Sequence, residues 1–101
     1  MQESIPPCCR HKQTPRDEET LRQLKNRLSR MIGQLGGIQK MLDDNRYCGD
    51  ILTQIAAVES ALQSLGYQVL QEHLNTCVKE QVQSGHDEVL SETLELIKKL
   101  K

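Results

Sequence analysis

Cys48, His73 and Cys77 are the residues of this 101-residue chain whose types and spacing could do chemistry. His73 and Cys77 are four apart, so on a helix both side chains lie on one face and can grip one ion. Cys48 belongs to the same stretch, "YCGDILTQIAAVESALQSLGYQVLQEHLNTCV" (47–78), in which nothing breaks a helix. At about 1.5 Å per residue, Cys48 and His73 would be nearly 40 Å apart, so one chain cannot close a site from all three. Two copies of the helix lying antiparallel would bring Cys48 of one chain beside His73 and Cys77 of the other, and twofold symmetry would make two identical sites. Two thiolates and one imidazole form a soft set suited to Cu(I), which accepts three ligands, whereas Zn(II) would ask for a fourth. The plain alternative is a core histidine beside a buried thiol, and the chemical competitor is oxidation or persulfidation of the cysteine pair. No nucleophile, base and oxyanion trio is visible, so the chain does not read as an enzyme.

Such residues need long helices to position them, and the apolar pattern supplies these. From Asp17 onward, Leu21, Leu24, Leu28, Met31, Ile32, Leu35, Ile38 and Leu42 recur at three- and four-residue steps, one stripe of a first helix. Gly33, Gly36 and Gly37 interrupt it, and are expected to mark close approach of a neighbouring helix. "DDNRYCGD" (43–50) separates this helix from the next, with Asp50 as the expected N-cap. The second helix is expected from about Asp50 to Gln83, with Ile51, Leu52, Ile55, Val58, Leu62, Leu65 and Val69 on its apolar side. "SGHD" (84–87) supplies a stop at Gly85 and a restart at Asp87, leading to a last helix over roughly 87–100 with Val89, Leu90, Leu94, Ile97 and Leu100 inward. The expected fold is all-α, a three-helix protomer with a long second helix, one domain over 17–101 behind a flexible tail, 1–16.

With Tyr47 and Tyr67 the only aromatic residues, a lone protomer has little from which to build a core. Pairing of long helices between subunits, an antiparallel homodimer, would supply what is missing. No apolar run reaches the roughly 18 residues of a membrane span, and the N-terminus lacks a secretion-signal layout, so a cytoplasmic protein with no membrane partner is expected. In that compartment the four cysteines are expected as thiols rather than disulfides. Cys8, Cys9 and His11 form a second soft cluster, "CCRH", on the tail.

The net charge of -1 hides an asymmetry: most of the 13 Lys and Arg residues fall before Tyr47. Arg22, Lys25, Arg30 and Lys40 lie opposite the apolar stripe on a helical wheel, flanked by Arg16 and Arg27. This cationic face is a candidate anion-binding surface, although a solvated charged face would look the same and no helix-turn-helix or zinc-finger spacing is present.

These stretches resemble the copper-sensing repressor family, the CsoR type, whose relatives include nickel/cobalt, formaldehyde and persulfide sensors. The resemblance covers about residues 17–101 and rests on "NRLSRMIGQLGGIQKM", "YCGDILTQIAAVESAL" and "EHLNTCV". It implies a trigonal Cu(I) site across an antiparallel dimer, mapped onto Cys48, His73 and Cys77. It also implies a tyrosine and a glutamate that orient the histidine: Tyr47 matches directly, and Glu92 after a one-residue shortening in "SGHDEV". The family assembles as a dimer of dimers, a homotetramer whose helix 1 and helix 2 basic residues contact operator double-stranded DNA; Arg16, Arg27 and Arg30 stand in the matching part. The stretch "GQLGGI" departs from the pattern: copper repressors commonly carry Arg where Gly36 stands and an acid where Ile32 stands, and a glycine-rich version is closer to the persulfide branch. The function implied is a Cu(I)-responsive transcriptional repressor, bound to its operator without metal and released by copper, that controls copper export and homeostasis genes, with a copper chaperone as a further partner. A persulfide- or thiol-sensing repressor would use Cys48 and Cys77 and tolerate loss of His73. A helical copper-binding protein with no DNA role is the third reading.

Overall fold

Asp17 sets the start of the first helix. In this computed structural model, which describes residues 12 and 14–100, its backbone is extended and its carboxylate accepts the Thr20 N–H at 3.3 Å. α1 then runs Glu18–Asp43, with Glu18 and Glu19 at its positive end and Lys40 at its negative end, each matched to the helix dipole. It closes through Asn45, which takes a left-handed backbone (φ 53). The Asn45 N–H donates to Leu42 O and the Arg46 N–H to Met41 O, the paired bonds of a Schellman stop.

The second helix is one rod in three parts: α2 (Cys48–His73), a π-helical turn (Leu74–Val78) and α3 (Lys79–Gln83). Thirty-six residues at about 1.5 Å each give about 54 Å, which accounts for the longest dimension of the protomer, 56 Å. Gly85 (φ 86) ends the rod with a second Schellman stop, in which its N–H donates to Val82 O and that of His86 to Gln81 O. α4 follows as Glu88–Lys98, preceded by Asp87. No strand occurs among the described residues.

The expected layout of three helices is therefore present, with four corrections. The second helix begins at Cys48, with Tyr47 at the N-cap; Asp50 lies in the first turn, where its charge meets the helix dipole without capping. Among the described residues, nothing beyond the helix's own backbone lies within 4 Å of where a side chain would start on Gly33, Gly36 or Gly37, so no other described helix of this protomer approaches them. The close approach is at Gly66, where an added Cβ would meet Leu100 Cδ2 at 2.8 Å. On α4 Val89 is buried as expected, together with Thr93, whereas Leu90, Leu94 and Ile97 are exposed.

α1 packs along α2, and α4 rests on the π-turn. The buried set is small: Met31, Val58, Val78, Val89 and Thr93. Ile32, Leu35 and Leu42 on α1 and Leu52 and Leu62 on α2 are all more than half exposed. The accessible surface is 7865 Å², against about 5,800 Å² for a closed globule of this mass. Both helices thus leave an apolar stripe uncovered, as one half of a larger bundle would. No helix among the described residues is long and apolar enough to cross a membrane.

Candidate metal centre and nucleic-acid face

His73 is the last regular residue of α2, and Cys77 sits inside the π-turn that follows. A π-turn widens the backbone by one residue and is a feature that concentrates at functional sites. Here it retains His73 and Cys77 on one side of the rod, and both line a groove of about 550 Å³ whose floor includes Leu65, Val69 and Leu96. The Thr76 hydroxyl donates to Glu72 O at 2.8 Å, satisfying a carbonyl in the turn where the helical ladder changes step.

The His73 Nε2 is buried and has no hydrogen-bond partner among the described residues. Leaving such an atom unpaired is costly, and most buried polar atoms are satisfied. A buried imidazole nitrogen with nothing to bond, one helical turn from a half-buried thiol, fits a soft metal ion as its missing partner. Two ligands do not complete a centre, and among the described residues of one protomer no three His, Cys, Asp or Glu side chains converge. Cys48 is exposed at the opposite end of α2, nearly 40 Å away along the helix by its rise of about 1.5 Å per residue.

The structure separates the two residues expected to support the centre. Tyr47 is 76% exposed, and its ring lies against Gly49, where an added Cβ would meet Cε2 at 2.5 Å. Glu92 is exposed on α4, and the position beside it, Thr93, is the buried one, with its hydroxyl donating to Val89 O at 2.8 Å. Since α4 packs on the π-turn, it is Thr93 and Val89 that this helix buries at the end of the rod bearing Cys77.

The basic residues divide into two groups. Arg16 Nε donates to Glu72 Oε1 at 2.6 Å, and Arg27 donates to Gln68 and to Ser64 Oγ, so both tie the first helix region to α2. Arg22 pairs with Glu19 within α1, and Lys25, Arg30 and Lys40 are exposed along the same helix.

The family model described as the metal-sensitive transcriptional repressor matches residues 20–99. The chain belongs to that family. Over 78 residues it is 44% identical to the copper-sensing transcriptional repressor CsoR of Bacillus subtilis, covering 76% of this chain and 77% of that one. Its fold is similar to that of the copper-sensing repressor CsoR with Cu(I) from Geobacillus thermodenitrificans, with a TM-score of 0.82 and 43% identity over 87% of this chain and 93% of that one. It is also similar to the nickel-responsive transcriptional regulator InrS, with a TM-score of 0.70 and 34% identity, covering 87% of this chain and all of that one. Because one fold serves sensors named for different metals, the donor set rather than the backbone must distinguish the ion in a metal-sensitive repressor.

In this metal-sensitive repressor, sequence reasoning missed a strap. Residues ahead of α1 cross the far end of the rod: Lys12 Nζ donates to Thr76 Oγ1 at 2.7 Å and to Cys77 Sγ at 3.3 Å, and Thr14 Oγ1 donates to Glu80 Oε2 at 2.6 Å. The Arg16 to Glu72 pair completes it. No periodicity signals contacts between residues more than fifty positions apart, and the prolines of this segment suggest only a tail. Of that tail, residues 1–11 and 13, including the Cys8, Cys9 and His11 cluster, lie outside the described residues.

Proposed function

We propose that the chain is a Cu(I)-responsive transcriptional repressor whose metal centre forms between two protomers, from Cys48 of one and His73 and Cys77 of the other. The observation that carries this reading is the buried His73 Nε2 beside Cys77, without a partner among the described residues, with the third soft ligand at the opposite end of the same rod. Two thiolates and one imidazole suit a monovalent soft ion, and both named copper sensors share more than two-fifths of their aligned residues with this chain. When bound, Cu(I) supplies a soft acceptor that draws the three donors together.

The protein's own part is to present those donors on a stiff spacing. α2 sets the distance between Cys48 and the His73/Cys77 pair, and the π-turn sets how the pair faces the groove. α4 is seated on that turn and buries Val89 and Thr93. Tyr47 and Glu92 orient His73 in the assembled site, Tyr47 from beside the partner protomer's contribution. Arg16, Arg22, Lys25, Arg27, Arg30 and Lys40 form the face for operator DNA, with attraction to phosphate that weakens as salt rises. The protein is a cytoplasmic, non-enzymatic homotetramer built from two antiparallel dimers. Metal and DNA are linked: copper lowers DNA affinity by the factor by which DNA lowers copper affinity.

The test is fluorescence anisotropy of the reduced protein on DNA from its own promoter region, titrated anaerobically with Cu(I). Release at one Cu(I) per chain is expected. His73→Ala is expected to bind the DNA as the unaltered chain does and to lose or blunt the release. Release by a persulfide donor but not by Cu(I) would move the protein to sulfur sensing, and undiminished copper release from His73→Ala would sink the coupling.

A further inference from the structure

The Lys12 ammonium lies 3.3 Å from Cys77 Sγ, and its placement there is not casual. Thr76 Oγ1 takes a second of its protons at 2.7 Å, while Thr14 clamped to Glu80 and Arg16 clamped to Glu72 hold the chain on either side. Glu72 is matched by Arg16, so it does not cancel the charge of Lys12, and Lys99 adds another cation to the same groove. A donor set of two thiolates and one neutral imidazole carries two negative charges once both thiol protons have gone to solvent. With a monovalent ion the assembled centre keeps a net charge of -1; with a divalent ion it is neutral.

We infer that Lys12, flanked by the clamped residues Thr14 and Arg16, is a specificity-determining residue that favours monovalent over divalent ions at Cys77 by balancing the charge the monovalent centre retains. This rests on the metal-centre reading above and deepens it. The N–H···S contact needs only a lone pair of the sulfur, so metal ligation and Lys12 can share Cys77. A unit charge acting over about 4 Å in a partly solvated groove corresponds to roughly a tenfold preference at moderate salt. The preference has two signatures. It follows the charge of residue 12 rather than its size, and it needs the strap that delivers that charge.

The experiment is a pair of chelator competitions on the full reduced chain, one with Cu(I) and one with Zn(II), for the unaltered protein and for Lys12→Met, Lys12→Arg and Thr14→Val. The expected result is that Lys12→Met lowers the ratio of Cu(I) to Zn(II) affinity about tenfold. Lys12→Arg should keep most of that ratio, and Thr14→Val, which removes a clamp without changing charge, should fall between them. Added salt should shrink the difference between Lys12→Met and the unaltered chain. An unchanged ratio in Lys12→Met, or equal weakening for both ions, overturns the inference while leaving the Cu(I) centre standing. An unaltered chain that takes up no Cu(I) overturns the centre and the inference together, and is recognised before any variant is measured.

Discussion

Single side chains at the end of the rod set up the proposed centre. His73 contributes a nitrogen with no partner among the described residues, Cys77 a thiol already contacted by a cation, and Thr76 a hydroxyl that mends the backbone between them. At the same end of the rod, where α1 begins, hydrogen bonding from Thr20 holds the Asp17 carboxyl below the usual carboxylate range. A group whose pKa is lower folded than unfolded stabilises the fold above its unfolded value, about 3.9, and loses that contribution as pH falls through the folded value. Acidification below about pH 4 should therefore fray the first turn of α1, as amide exchange of Thr20 and Leu21 would show. Asp17→Asn keeps a capping oxygen without a titrating charge, and in that variant the pH dependence of the fraying should shrink to what Glu18 and Glu19 contribute through the helix dipole.

Among the elements, one stop of Schellman type ends α1 and a second ends the rod, and only the second uses glycine. Gly85→Ala places a Cβ in a left-handed backbone (φ 86) and should cost about 1 kcal/mol, read as a lowered urea midpoint at fixed protein concentration with an unchanged slope. Much of this level was legible beforehand. Leu21, Leu24, Leu28 and Met31 announced α1 because the apolar face of a helix must recur every 3.6 residues, and Gly85 marked the stop because few other residues accept its backbone. The π-turn was not legible, since adding one residue per turn over Leu74–Val78 hardly changes which apolar residues recur. The start at Cys48 in place of Asp50 was missed because Tyr47 occupies the cap without a side-chain bond, and that leaves no compositional trace. At the site, the types and spacing of His73 and Cys77 could be read directly, whereas Lys12 reaches Cys77 across 65 positions, a contact that only the fold can reveal. The inward face of α4 was misassigned for a related reason. Leu90, Leu94 and Ile97 are apolar, but in a protomer this open they have no partner to bury them.

For the whole molecule, the rod and its exposed leucines describe an object made to be paired. In an antiparallel pairing that sets Cys48 opposite the His73–Cys77 segment, the midpoint falls near residue 62, so Leu62 would meet its own copy on the twofold axis. Leu62 is 54% exposed in the protomer. Leu62→Glu would put two like charges at the axis in place of two buried leucines worth about 1.5–3 kcal/mol each. Sedimentation of the reduced protein should show its association weakened by tenfold or more, with α-helix content falling only at dilute concentration.

The placement of Cys48 and the His73/Cys77 pair at opposite ends of one rod has a consequence for gene dosage. With the donors divided between two chains as proposed, the capacity to register the ion appears only when two chains meet, and it therefore rises faster than in proportion to protein when copies are scarce. A cell making little of this repressor would be less responsive per molecule, and the copper threshold would be set by expression level as well as by ligand chemistry.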